Sequence, residues 1–116
     1  MDKFELQKRL KNFAWRCVRL GDELPKTSLG KYINSQLIRA AFSSAANYRA
    51  ACIGQSRAAF IAKLSISFEE IDESSFWLEN VIDGELITKE RVYPLFNESI
   101  ELTKIIASAR KNSQTK

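Results

Sequence analysis

Residues 56–83, SRAAFIAKLSISFEEIDESSFWLENVID, set the constraint that the rest of the chain must satisfy. Ile61, Leu64, Phe68, Ile71, Ser75, Leu78 and Ile82 recur at alternating intervals of three and four. That is the period of one helical face laid against other helices. About 28 residues of helix span roughly 40 Å, too long for a connecting helix and the right length for a stave of a bundle. The preceding run, 33–52, has a middle of small residues: Ala40, Ala41, Ser43, Ser44, Ala45 and Ala46. Short side chains there let a neighbouring helix approach closely.

The same periodicity predicts helices over about 3–24, 29–53, 56–83 and 88–110, with a frayed tail at 111–116, in a single domain spanning 1–116. On the first, Leu6, Leu10, Phe13, Cys17, Leu20 and Leu24 make a seam. Pro25 ends it, since proline lacks the N–H and disfavours helix at the residue before it. Thr27 or Ser28 caps the second helix, although Gly30 in its first turn blurs the start. Ile33, Leu37, Ala40, Ser44, Tyr48 and Ala51 form its apolar face, and Gly54 is a natural stop. Ser56 caps the third helix, which ends at Asp83-Gly84. Thr88 is placed to cap a fourth at Lys89, whose seam is Val92, Leu95, Ser99, Leu102, Ile106 and Ala109. Pro94 falls one turn inside, so a kink or a start nearer Tyr93 is expected. With short connections, the fold class is all-α: an antiparallel up-down-up-down four-helix bundle.

Charge is modest in sum, 18 Lys and Arg against 14 Asp and Glu, but segregated along the chain. Lys26, Lys31, Arg39, Arg49, Arg57 and Lys63 lie between Pro25 and Phe68 with no acid among them. Glu69 to Glu90 holds eight acids and only Lys89. Such segregation makes a basic surface for a polyanion, or lets the acidic region of one subunit face the basic region of the next. The candidate nucleic-acid contacts are Lys8, Arg9, Lys11, Arg16 and Arg19 from the first helix, with Lys31, Arg49, Arg57 and Lys63. Gln36, Arg39, Ser43 and Asn47 form a polar ridge with two readings, phosphate contact through Arg39 or mutual satisfaction at a helix or subunit junction.

Apolar faces exceed what one core needs. At 100° per residue, Phe4 and Trp15 stand opposite the first seam. Ile66 and Trp77 share a face away from the third, with Phe76 on another flank. Exposed aromatic faces of this kind point to self-association.

Catalytic chemistry is sparse. The chain has no histidine, so a Ser-His triad is impossible and the usual general base is missing. Glu69, Glu70, Asp72 and Glu73 read as a solvated acidic face, because a bundle carboxylate metal site calls for Glu-x-x-His pairs. No phosphate-binding glycine motif occurs, and no metal or cofactor is expected. Cys17 and Cys52 sit in helical patterns as small hydrophobes rather than a disulfide. The N-terminus lacks the apolar stretch of a signal peptide, and no run approaches the ~18 apolar residues of a membrane span. The reading is therefore a non-enzymatic cytoplasmic protein.

One pattern covers nearly the whole chain: Phe13-Ala14, Leu24-Pro25, Gln36-Leu37, Arg39-Ala40, Ser43 or Ser44, Ala46-Asn47-Tyr48-Arg49, Arg57, Phe60-Ile61, Lys63-Leu64, Glu69-Glu70, Asp72-Glu73 and Trp77-Leu78-Glu79. It resembles the bacterial four helix bundle protein family, also called the 23S rRNA intervening-sequence protein or S23 family. The resemblance implies an up-and-down bundle assembled into a homo-oligomer, typically a five-fold ring (a pentamer). The accessory proteins of diversity-generating retroelements are similar: basic bundle rings that bind nucleic acid and a reverse transcriptase. The expected function is a homo-oligomeric nucleic-acid-binding protein, RNA or an RNA–protein complex being the favoured target over DNA. The alternative is a ring-shaped protein scaffold, for example an accessory subunit of a reverse transcriptase. Its contacts would come from the 69–90 acidic block and the outer aromatics.

Overall fold

The computed structural model describes residues 1–54 and 56–114, which form four helices with no strand among them. They are α1 (Lys3–Gly21), α2 (Ser28–Cys52), α3 (Arg57–Asp83) and α4 (Lys89–Gln114). Trp15 meets Phe42 and Gly21 meets Asn34 across α1 and α2. Arg39 meets Glu70 and Ser44 meets Ser67 across α2 and α3. Arg57 meets Ser113 and Ser75 meets Ser99 across α3 and α4, while Arg9 meets Glu98 and Glu23 meets Arg91 across α1 and α4. In every case one residue number rises as the other falls, so each neighbouring pair is antiparallel. The ring of helices closes from α4 back onto α1, giving an up-down-up-down bundle 46 by 21 by 20 Å.

The helix starts follow from capping. Asp2, Thr27 and Ser56 are extended, and their side-chain oxygens accept the N–H groups of Glu5, Gly30 and Ala59 at 2.8, 3.1 and 3.1 Å. Each satisfies a donor that the first helical turn leaves over. Regular α1 stops at Gly21, short of the expected 24. Its seam nonetheless continues, because Glu23 and Leu24 donate to the carbonyls of Leu20 and Gly21 in a tighter turn that still buries Leu24. At the far end of α3, Gly84 keeps an ordinary helical φ, and Glu85 takes the left-handed conformation at φ 53°. Glu85 donates to Ile82 and Leu86 to Val81, the bond pattern of a Schellman motif with glutamate where glycine is favoured.

The fourth helix starts where Thr88 was expected to cap it and departs from expectation at its C-terminal end. It begins at Lys89 and runs through Pro94, rather than starting nearer Tyr93. Pro94 and Glu90 are both exposed, so the carbonyl that loses its N–H partner faces water. The tail expected to fray from 111 is helical to Gln114. Arg57 explains this: its Nε donates to the Ser113 carbonyl at 2.8 Å, and a terminal nitrogen donates to the same oxygen. An arginine from α3 thus satisfies a carbonyl that the last turn of α4 would leave open. Positions 115 and 116 of that tail lie outside the described residues.

The core lies along the four seams. Leu10, Phe13, Cys17, Leu20, Leu37, Leu64, Ile71, Leu78, Leu102 and Ile106 are fully enclosed, and Ile61, Phe68 and Ile82 are half-buried at the margin of α3. Small residues bring the middle helices together. Ser44 and Ser67 each donate to the other's carbonyl, at 2.9 and 2.8 Å, and Ser75 donates to Ser99 at 2.8 Å. These hydroxyls are buried but paired, which removes most of the cost of enclosing them.

Candidate nucleic-acid interface

The structure sorts the basic residues into those already engaged by the fold and those that are not. Arg9 is engaged: its Nε and a terminal nitrogen form a two-pronged bond to Glu98 at 2.8 and 2.7 Å, and Glu101 lies 2.9 Å away. The carboxylates push its pKa further above the ordinary arginine value, chiefly through the bonds to Glu98 and Glu101. Arg57 serves the end of α4. Neither is placed as a loose surface cation, although both resemble Lys8 and Lys63 in sequence.

The ridge on α2 is also engaged. Arg39 pairs with Glu70 at 3.0 Å and with Glu73, and its Nε donates to the Gln36 side-chain oxygen at 3.3 Å. Asn47 donates to the carbonyl and hydroxyl of Ser43 at 2.9 and 3.2 Å. Arg39 therefore spends its guanidinium joining α2 to the acidic stretch of α3. Trp77 adds to that junction, donating from its indole to Glu73 at 3.0 Å and packing edge-on against Tyr32 with ring centroids 5.6 Å apart.

Lys8, Lys11 and Arg49 are different. Among the described residues none has a carboxylate within ion-pair distance. They line a groove of about 480 Å³ between α1 and α2, together with Phe4, Gln7, Phe42, Ala45 and Ala46. Local geometry explains it. Intervals of three and four place Phe4, Lys8, Lys11 and Trp15 on one flank of α1. The antiparallel register sets Phe42, Ala45, Ala46 and Arg49 opposite. The two alanines leave the trough, and Trp15 closes one end by packing edge-on to Phe42 at 5.6 Å. No acid lines it. Phe4, 68% exposed, stands at its rim.

The remaining candidates lie elsewhere. Lys31 and Lys63 stand exposed on α2 and α3, outside this groove. Arg16 and Arg19 turn toward α4, where they line a second, smaller depression with Arg91, which sequence reasoning did not single out. Ile66 is exposed on α3, and Phe76, 52% exposed, packs on Trp77 at 5.0 Å. Among the described residues no three histidine, cysteine or acidic side chains are grouped to hold a metal ion, and no helix is long and apolar enough to cross a membrane.

Residues 2–108 match the family described as 23S rRNA-intervening sequence protein. The chain belongs to that family. A solved member of the S23 ribosomal protein family from Bacteroides thetaiotaomicron, described as a protein with unknown function, is 35% identical to it. That similarity covers 96% of this chain and 99% of the other, with a TM-score of 0.86. No curated protein matches. Family membership thus agrees with the resemblance carried by the Gln36–Arg49 and Arg57–Glu79 patterns.

Proposed function

We propose that this member of the 23S rRNA-intervening sequence protein family is a non-enzymatic, homo-oligomeric RNA-binding bundle of the cytoplasm, and that the α1–α2 groove holds the strand. The observation that carries the reading is the grouping of Lys8, Lys11 and Arg49 with Phe4 and Phe42 in a trough without acids. Cations beside aromatic faces suit a single strand, whose phosphates need neutralising and whose bases stack. Homo-oligomerisation draws on the exposed Phe76 and Ile66. A five-fold ring, contact with a reverse transcriptase and a DNA target are finer expectations that stem from the resemblance.

The test is fluorescence anisotropy with a labelled single-stranded RNA and a matched DNA. Three phosphate contacts give a salt slope of about −2 on a log–log scale, so affinity should fall about 20-fold between 50 and 200 mM salt. The Lys8→Gln/Lys11→Gln/Arg49→Gln variant should lose both the affinity and the slope. Absence of binding at 50 mM, or a variant that binds as well as the parent, refutes the assignment.

One observation favours a second reading, a protein-binding scaffold: Tyr32 of α2 packs on Trp77 and Trp77 on Phe76, along the α3 helix that also exposes Glu69, Asp72 and Glu79. A partner held there would be retained at salt concentrations that strip a polyanion.

A further inference from the structure

We infer that Arg16, Arg19 and Arg91 form a pocket for a doubly charged phosphate monoester, the terminal phosphate of a nucleic-acid strand. The inference rests on the RNA-binding reading and adds a second, chemically distinct site to it. The pocket is a depression of about 200 Å³ between α1 and α4, with Leu20, Pro94 and Leu95 lining it beside the arginines. Sites for drug-sized molecules run to roughly 300–1,000 Å³, so this one suits a small anion or the end of a larger one.

Charge narrows the ligand further. Among the described residues, neither Arg16 nor Arg19 has a carboxylate within ion-pair distance. Arg91 has one, Glu23, at 2.7 Å through a single terminal nitrogen. A guanidinium carries five N–H donors, so Arg91 keeps donors to spare while Glu23 holds it in place. Three guanidinium groups against one carboxylate leave two positive charges. A phosphate monoester carries about −1.5 to −2 at neutral pH, whereas an internal phosphodiester carries only one negative charge. Arginine forks match phosphate oxygens in pairs, which lysines cannot do. The contrast with Arg9 on the same helix is informative: there two carboxylates consume the cation.

Position links the pocket to the groove. Lys11 and Arg16 are separated by about 7.5 Å of rise along α1, on different flanks of that helix. A strand crossing the outer face of α1 can rest its phosphates on Lys8 and Lys11 and seat its end among the arginines.

The experiment compares one internally labelled oligoribonucleotide carrying a 5′-phosphate, a 3′-phosphate or neither, by anisotropy at low salt. The strand phosphorylated at the seated end should bind about tenfold tighter than the unphosphorylated strand. Arg16→Gln/Arg19→Gln should abolish that preference, and Arg19→Gln alone, at an exposed position, should reduce it without endangering the fold. Lys8→Gln/Lys11→Gln/Arg49→Gln should weaken all three strands and keep the preference. Equal binding of all three strands by the parent protein overturns the pocket while leaving the groove intact. If no strand binds, inorganic phosphate is titrated while the arginine Nε resonances are followed by NMR. Shifts at Arg16, Arg19 and Arg91 would support the pocket as a free-phosphate site and remove the strand, and no shift would overturn it.

Discussion

Replacing Gly30 with alanine sets two known effects against each other. Gly30 lies in the first turn of α2, and by helix propensity alone alanine there should stabilise by about 0.5–1 kcal/mol. Packing opposes this. A Cβ on Gly30 would lie 1.9 Å from the Pro25 carbonyl oxygen and 3.0 Å from its carbon, where ordinary contact begins at 3.4 Å. The obstacle is backbone, so no side-chain rotation relieves it. The 22–27 turn would have to retreat by about 1.5 Å, carrying with it the buried Leu24 and the Thr27 cap. Overpacking of this kind costs about 1–3 kcal/mol, and a weakened cap costs up to about 1 kcal/mol more. The clash outweighs propensity, giving a net loss of about 1–3 kcal/mol and, at about 4 °C per kcal/mol, a drop of ~4–12 °C in Tm. Urea and thermal unfolding measure it, with Gly54→Ala as a control. There the nearest atom to a new Cβ is 3.2 Å away, and a change within about 0.5 kcal/mol is expected. A Gly30→Ala protein as stable as the parent would refute the reasoning, because it would mean that the turn yields freely.

Glu85→Gly should raise stability by about 0.5–1 kcal/mol in the same assay, since glycine takes the left-handed φ at the end of α3 without strain; a loss would show that the glutamate side chain matters more than its backbone. A double-mutant cycle on Arg9 and Glu98, both to alanine, should give a coupling of about 1 kcal/mol that shrinks by 0.5 M salt, and a coupling of zero would mark the pair as ornamental. Burial pushes the Cys17 thiol well above its ordinary pKa. The folded state therefore keeps that proton after the unfolded state has lost it, and stability should fall as pH rises past about 9, by at most about 1.4 kcal/mol per unit. Cys17→Ala should show a shallower decline, and at pH 8 a thiol reagent should label half-buried Cys52 while sparing Cys17 until unfolding. Phe76→Ala should lower the mass seen by light scattering and, at concentrations dilute enough for the parent to be monomeric, leave Tm within ~2 °C, because the ring is exposed in the single chain; an unchanged mass removes this face from self-association.

The seams were legible because they rest on period alone. Leu6 through Leu24, and Val92 through Ile106, are buried as their spacing requires. Which cations belong to the fold was not legible, since that depends on register between residues far apart in the chain. Nothing near Arg9 or Arg57 announces Glu98 or the Ser113 carbonyl. Arg91 sits directly after the acidic block and was hidden by it, and only the antiparallel pairing of α1 with α4 brings it beside Arg16 and Arg19. Gly30 read as a weak spot in a helix, whereas it is the point where the Pro25 carbonyl passes closest. Glycine marked the end of α3, but the left-handed residue proved to be its neighbour Glu85.

The closure of α4 onto α1 bears on the order in which the bundle assembles. The other three helix pairs are hairpins with short connections, so each can zip from its own turn at little entropic cost. The α1–α4 pair is the thinnest of the four, and its bonds from Arg9 to Glu98 join residues 89 apart. It therefore forms after the hairpins and gives way before them. Beside the shared apolar core it carries two clusters of charge, Arg9 with Glu98 and Glu101, and Glu23 with Arg91. Ionic strength then acts on this closing step as well as on the α2–α3 hairpin, where Arg39 pairs with Glu70 and Glu73. Screening the α1–α4 clusters with salt should raise the rate at which those two helices part.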